Sequence, residues 1–328
     1  MSAAVKKLFA TFGVSASAAV VAVCAIAFGG PGNPPPMAGI NDPFKGVSYA
    51  DLPSPGHFTA RDGTRLAFRA YPAAAGFSKG AVVLVHGASG KGSGMHTVAK
   101  AFAAAGYAAY ALDIRGHGDS GEKGTIAYVG QLEDDLEDFV GSVRPPGPVT
   151  LAGFSSGGGF VLRVAGGARQ NLFSNYLLLS PFISQDAPTY RPNAGGWVSV
   201  GVPRWFAIGV LDGLGVRLFD GLPVIRFAID QRDQAGLTRQ YSFSLAQNFR
   251  PERDYRANIR AVKRPLSVVA GTDDELFRTD RFAAVFQAEG KDFPVTLVPG
   301  VGHIALTLDP AAIRAAVSAV DRMNQPRA

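Results

Sequence analysis

Gly153-Phe154-Ser155-Ser156-Gly157 sets a serine between two glycines, each two residues away. Ahead of it runs the short, mostly apolar stretch Val149 to Ala152, and behind it a helix-compatible stretch from about Gly158 to Ala168. Strand, tight turn and helix in that order is the context in which a serine is held out as a nucleophile. The turn is too sharp for bulk at either glycine. The helix behind it aims its positive end, and the backbone N–H of Ser156, at the reaction centre. The pentapeptide alone decides nothing, because a chain with 40 glycines also makes Gly/Ser-rich loops before helices for structural reasons.

A serine hydroxyl needs a base to take its proton, and the base needs a carboxylate to orient it. Of the five histidines, His57, His86, His96, His117 and His303, only His303 follows Ser155, as this kind of elbow requires. It lies in Val298-Pro299-Gly300-Val301-Gly302-His303-Ile304, where glycines let the backbone fold back toward the elbow. The acid is expected at the end of the strand-like run Pro265 to Ala270, in Gly271-Thr272-Asp273-Asp274-Glu275. The Gly-x-x-Asp spacing favours Asp274 and leaves Asp273 as a helix cap or spare. Asp186, after the earlier strand Asn175 to Leu179, is the displaced alternative. The unbroken apolar run Ala81 to Val85 reads as a strand buried on both faces, and it ends in His86-Gly87-Ala88-Ser89-Gly90. On this reading the N–H groups of Ala88 and Ser156 hold the oxyanion, and His86 structures the loop.

LVHGASG, DIRGHGDSG, GFSSG, GTDDELF and GVGH occur in this order between Phe58 and Met323. Together they make the chain resemble an α/β-hydrolase, nearest to the monoacylglycerol lipase/lysophospholipase-like (serine aminopeptidase-like) group. The resemblance implies a mostly parallel, doubly wound sheet with an inserted helical cap. It implies Ser155 as nucleophile, Asp274 as acid, His303 as base, and Ala88 and Ser156 as oxyanion donors. The implied reaction is hydrolysis of a small ester or lipid through an acyl-enzyme, with no cofactor. Peptidase or amidase action on the same triad is the alternative, and a non-catalytic binding member is the rival from another class. Two departures leave the substrate open. Phe154 stands where many lipases of the group carry histidine, and the middle of the chain has no family pattern.

The elements around these residues divide the chain into three. Residues 1–28 read as a signal peptide or N-terminal membrane anchor, 29–56 as a Pro/Gly-rich linker, and 57–325 as the catalytic domain, with the cap at about 182–260. Lys6-Lys7 precede Leu8 to Phe28, an uncharged segment long enough to span a hydrocarbon core, so membrane association through residues 8–28 is expected. Ala25-Ile26-Ala27 is a small-x-small cleavage site. In either case the lysines keep the N-terminus cytoplasmic and export the catalytic domain. Lipid attachment at Cys24 is disfavoured by the bulk of Val23. Cys24 is the sole cysteine, so the catalytic domain has no disulfide. Gly29 to Pro36 is expected to be an extended spacer.

Asp62-Gly63 is a turn between the strands His57 to Ala60 and Arg65 to Ala70, and Tyr107 to Leu112 is a further strand. Helices are expected at about Met95 to Ala105 and Pro310 to Met323. Between Val129 and Val143, Leu132, Leu136 and Val140 form an apolar stripe, and Glu133, Asp134, Asp135, Glu137 and Asp138 read as its solvated face. Trp197, Trp205, Phe206, Phe219, Leu222, Val224, Ile225 and Phe227 are expected to pack the cap first and to touch substrate second. No cluster has metal-ligand spacing. The net charge of +6 is spread along the chain without a Lys/Arg stripe, which excludes a nucleic-acid partner.

Overall fold

The apolar runs of the sequence become the middle of a sheet in the computed structural model, which describes residues 17, 19–37, 42–74, 78–192, 196–229 and 236–325. The first six strands are β1 (Gly56–Thr59), β2 (Arg65–Tyr71), β3 (Ala81–Val85), β4 (Ala108–Leu112), β5 (Val149–Phe154) and β6 (Asn175–Leu179). Three strands of the cap follow, β7 (Val198–Val200), β8 (Pro223–Phe227) and β9 (Gln240–Ser242), and then β10 (Leu266–Gly271) and β11 (Val295–Val298). The main sheet has eight strands in the order β1-β2-β4-β3-β5-β6-β10-β11. All pairings from β4 to β11 are parallel, and β1 and β2 add an antiparallel edge.

Parallel neighbours need crossovers, and helices supply them, covering both faces. Period-two alternation assigns each side chain a face. On β3, Ala81, Val83 and Val85 join one core, and Val82 and Leu84 join the other. The second core lies under α1 (His96–Ala104) and a C-terminal helix, Pro310–Asn324, through Val98, Phe102, Ile313 and Val320. The first takes Leu136 and Phe139 from α2 (Gln131–Val143) and Phe160 and Leu162 from α3 (Ser156–Ala165).

The acidic run on α2 is not a solvated face. Glu133, Asp134 and Asp135 are buried. Asp135 is paired with Arg115, Glu133 with Arg163, and Asp134 with Arg169, while Arg61 spans Glu137 and Asp138. A buried carboxylate needs such a partner to offset its lost hydration. Each arginine arrives from a distant part of the chain, so local spacing does not reveal the pairing.

The cap, expected to be helical, is mixed: it contains α4 (Val202–Gly213) but also a three-stranded antiparallel sheet, β7-β8-β9. β-Branched residues at Val198, Val200, Val224 and Ile225 suit the strands. Gly29 to Pro36 lacks helix and strand, as its composition dictates, but it is no free spacer. The carbonyl of Gly29 accepts from Arg204 N–H, and Met37 N–H donates to the Ala228 carbonyl. The Arg204 guanidinium, on α4, donates to the carbonyls of Ile26, Ala27 and Pro223. Of the leader segment, residues 1–16 and 18 lie outside the described residues, and 19–28 are helical. Among the described residues no helix is long and apolar enough to cross a membrane.

Candidate active site

β5 delivers Ser155 at its C-terminal end, where φ is +55° and ψ −120°, a conformation that costs a non-glycine residue on the order of 1–3 kcal/mol. Three backbone bonds hold it there: Ser155 N–H to the Leu179 carbonyl at 2.9 Å, and its own carbonyl accepting from Gly159 and Phe182, both at 3.0 Å. A methyl group on Gly153 would run into the carbonyl of Gly157, and one on Gly157 into the carbonyl of His86. Both glycines are therefore required by close backbone approach.

His303 reaches the serine from the loop after β11. Its Nε2 lies 3.0 Å from Ser155 Oγ, and its Nδ1 lies 2.8 Å from Asp274 Oδ2. The other carboxylate oxygen of Asp274 accepts the N–H groups of Leu276 and Phe277, each at 2.9 Å. Burial alone would raise the Asp274 carboxyl, but His303 and these two N–H groups hold it below the usual carboxylate range. Glu275 fixes the loop by accepting the His303 backbone N–H at 2.9 Å. The rings of Phe154, Phe277 and Trp197 box the imidazole, with centroids 4.8, 5.1 and 6.0 Å away. Phe154, the departure noted in the sequence, is thus a wall of this box. The alternative acids do not meet His303. Asp273 is exposed and accepts the Thr272 hydroxyl, and Asp186 is exposed.

The loop after β3 stands opposite. His86 Nδ1 donates to the Gly87 carbonyl at 2.8 Å, and its Nε2 accepts the Ile114 N–H at 3.3 Å, so it structures the loop. Among the described residues, the N–H groups of Ala88 and Ser156 meet no protein acceptor, and both residues line the cavity. Ser89, with φ at +64°, is gripped by the cap on both of its backbone groups. Its N–H donates to the Tyr241 hydroxyl at 2.6 Å, and its carbonyl accepts from Thr238 N–H at 2.9 Å. The Tyr241 hydroxyl donates in turn to His117 Nε2 at 2.6 Å, and His117 Nδ1 faces the carbonyls of Ile114 and Arg115. Burial pushes His86 and His117 below the ordinary histidine value and keeps both imidazoles neutral. Sequence reasoning missed Tyr241 and Thr238. His117 sits in the DIRGHGDSG stretch, but nothing local shows that its partner is in the cap.

Ser155, Ser156, His303, Ala88, Ser89 and Tyr241 line one cavity of about 1480 Å³. Trp197, Trp205, Phe206, Ile225 and Phe227 of the cap line it, whereas Val224 is buried in the first core and Phe219 and Leu222 pack against that core. Pro36, Met37, Phe44, Tyr49 and Leu52, from the segment read as a linker, form part of its wall. Among the described residues no cluster of His, Cys, Asp or Glu is placed to hold a metal.

A family model described as serine aminopeptidase, S33, matches residues 76–310, more than half of the chain. A monoacylglycerol lipase of Mycolicibacterium smegmatis is 41% identical over 97 residues, a stretch covering 28% of this chain and 33% of that protein. The match thus spans about a third of that curated relative. Among solved structures, a soluble variant of monoglyceride lipase from Saccharomyces cerevisiae superposes with a TM-score of 0.61 at 18% identity, covering 83% of this chain and 95% of its own. A putative aryl esterase from Burkholderia cenocepacia gives 0.58 at 16%, covering 82% and 99%. At such identities these likenesses speak for the fold, an α/β-hydrolase with a mostly parallel eight-stranded sheet.

Proposed function

The chain belongs to the serine aminopeptidase S33 family, and from that premise we propose that it is a serine hydrolase of carboxylic esters with a lipid-like acyl chain, of monoacylglycerol or lysophospholipid type. The observation that carries this reading is the relay Ser155 Oγ to His303 Nε2 to Asp274, at 3.0 and 2.8 Å, beside a cavity whose walls are mainly apolar and aromatic. His303 Nε2 takes the Ser155 proton as Oγ adds to the ester carbonyl carbon. The carbonyl electron pair moves to oxygen, which the N–H groups of Ala88 and Ser156 hold. Collapse expels the alcohol, which leaves with the proton from His303, and water then repeats the sequence on the acyl-enzyme. Asp274 keeps the proton of the neutral imidazole on Nδ1 and stabilises the imidazolium.

Binding a free amino terminus would call for an unpaired carboxylate near the serine. Among the described lining residues away from the relay, the one carboxylate is Asp42, and it is paired with Lys45. This favours ester over aminopeptidase action. Ser155→Ala is expected to lower ester turnover on the order of 10³-fold or more and to abolish labelling by a fluorophosphonate, with the fold intact. Retained activity or labelling in that variant would sink the assignment.

For the N-terminus we propose a retained anchor for an exported enzyme, with residues 29–56 as an arm on the catalytic domain 57–325 and the cap at about 182–260. Val20, Val21, Val23 and Phe28 are exposed on the helical stretch, which favours a lipid environment. The grip of Arg204 on Ile26 and Ala27 favours retention over cleavage after Ala27. Membrane fractionation with N-terminal sequencing checks both points.

A further inference from the structure

We propose that Arg250 is an anion-binding subsite of the substrate cavity, so that the preferred ester carries a carboxylate or phosphate group. This rests on the serine-hydrolase reading and narrows its substrate class. Arg250 follows α5 (Phe243–Asn248) and precedes Pro251. It lines the same cavity as Ser155, Ser156 and Phe182. Its guanidinium carbon lies 5.5 Å from the centroid of the Phe182 ring, and the Phe182 N–H is bonded to the Ser155 carbonyl. The cation is therefore one residue removed from the nucleophile's own backbone.

Its Nε is buried without a hydrogen-bond partner, and no ion pair reaches it among the described residues. The other arginines drawn into this fold are treated differently. Arg115 is held by Asp62 and Asp135, and Arg163 by Glu133. Asp186, whose charge Arg250 feels, is exposed and forms no salt bridge with it. Arg250 is partly buried, and burial, with the neighbouring Arg163 charge, pulls its guanidinium below its ordinary value despite Asp186. A cation partly withdrawn from water, with its Nε unpartnered, favours an incoming anion. The Phe182 ring face offsets only part of the lost hydration. An anion entering the cavity would supply the rest, and the planar fork of arginine matches the paired oxygens of carboxylate or phosphate. Aromatic cap residues remain to take the apolar chain.

The test compares kcat/KM for charged and neutral partners of one length. One pair is p-nitrophenyl octanoate against the p-nitrophenyl monoester of the matching diacid. The other is monodecanoylglycerol against its glycerol-phosphate counterpart. The parent enzyme is expected to prefer an anionic member. In Arg250→Gln the anionic-to-neutral ratio is expected to fall on the order of tenfold or more, chiefly through KM, and Arg250→Lys is expected to restore part of it. Loss in the diacid pair assigns a carboxylate, and loss in the glycerol pair assigns a phosphate. A ratio in Arg250→Gln equal to that of the parent overturns the proposal. Binding provides a readout without turnover. Decyl phosphate should raise the Tm of Ser155→Ala more than decanol does, and adding Arg250→Gln should remove the difference. An enzyme inactive on every ester but showing that Arg250-dependent shift would refute the hydrolase reading and keep the subsite. Equal shifts with and without Arg250 would refute the subsite and leave the hydrolase reading standing.

Discussion

The strand that carries Ser155 and the cap that covers it are held in different ways. All six residues of β5 are buried, and its turn is locked by backbone atoms in contact at Gly153 and Gly157. In the cap, β7 leaves Val198 and Val200 exposed, and α4 presents Phe206, 73% exposed, beside the cavity. A packed sheet transmits strain and tolerates little change. A thin layer facing solvent can alter its wall without unfolding the site beneath. The chemistry should therefore depend on the sheet and selectivity on the cap. The division has one breach, because Tyr241 and Thr238 reach from the cap to hold Ser89 in the loop expected to donate to the oxyanion.

The largest effect should come from the sheet side. Asp274→Asn is expected to lower kcat by about 10²- to 10⁴-fold, because the imidazole loses the carboxylate that fixes its tautomer. Asp273→Asn is expected to stay within about threefold, since Asp273 is exposed and its carboxylate, among the described residues, accepts from the Thr272 hydroxyl and not from His303. Comparable rates for the two variants would break the assignment. A pH series sharpens it. The Asp274 carboxyl lies below its unfolded value, so the stability it contributes is present above that value and is lost as pH falls through the depressed one. On acidification the Tm of the parent should approach that of Asp274→Asn.

Tyr241→Phe tests the breach. The ring contacts with Phe227 and His117 can remain, while Ser89 N–H and His117 Nε2 lose their partner. If the cap completes the oxyanion loop, kcat should fall on the order of 10- to 100-fold with little change in KM. A change confined to KM would make Tyr241 an ordinary wall residue and restore a clean division between the two regions.

The same contrast explains what could be read from the chain. Ala81 to Val85 and Leu266 to Gly271 are buried throughout, so apolar runs announce them, the second interrupted only by Ser267. Steric need at Gly153 and Gly157 is local and leaves its mark in the pentapeptide. Spacing favours Asp274 over Asp273, and of the two it is Asp274 that is buried, meets His303 and accepts two backbone N–H groups. Long-range pairing left no local trace. Arg61 meets Asp138 across 77 positions and Tyr241 meets His117 across 124. The acidic stretch of α2 therefore looked solvated. Proline and glycine foretold the absence of helix and strand in 29–36, but composition does not show where an irregular segment docks.

That docked arm gives the smallest effect. The Arg204 side chain ties α4 to the end of the helical stretch just ahead of the arm through the carbonyls of Ile26 and Ala27, at 2.7 and 3.0 Å, and to β8 through that of Pro223, at 2.9 Å. Arg204 is only half buried, so water can take over these carbonyls in Arg204→Met, and the stability lost should be about 1 kcal/mol. The arm would nevertheless be loosened at one end, where the bond from the backbone N–H of residue 204 to the Gly29 carbonyl would remain. Further along, Met37, Phe44 and Leu52 form part of the cavity wall, where an acyl chain gains about 0.8 kcal/mol for each CH₂ it buries. A loosened wall should reduce kcat/KM for decanoate and dodecanoate esters by roughly two- to fivefold and for butyrate by less, because a short chain buries fewer CH₂ groups against it. The measurement is the chain-length profile of parent and variant under one set of conditions. Parallel profiles would mean that the arm only covers the cap. A steeper loss for long chains would make a segment outside the family-matched span part of the acyl site.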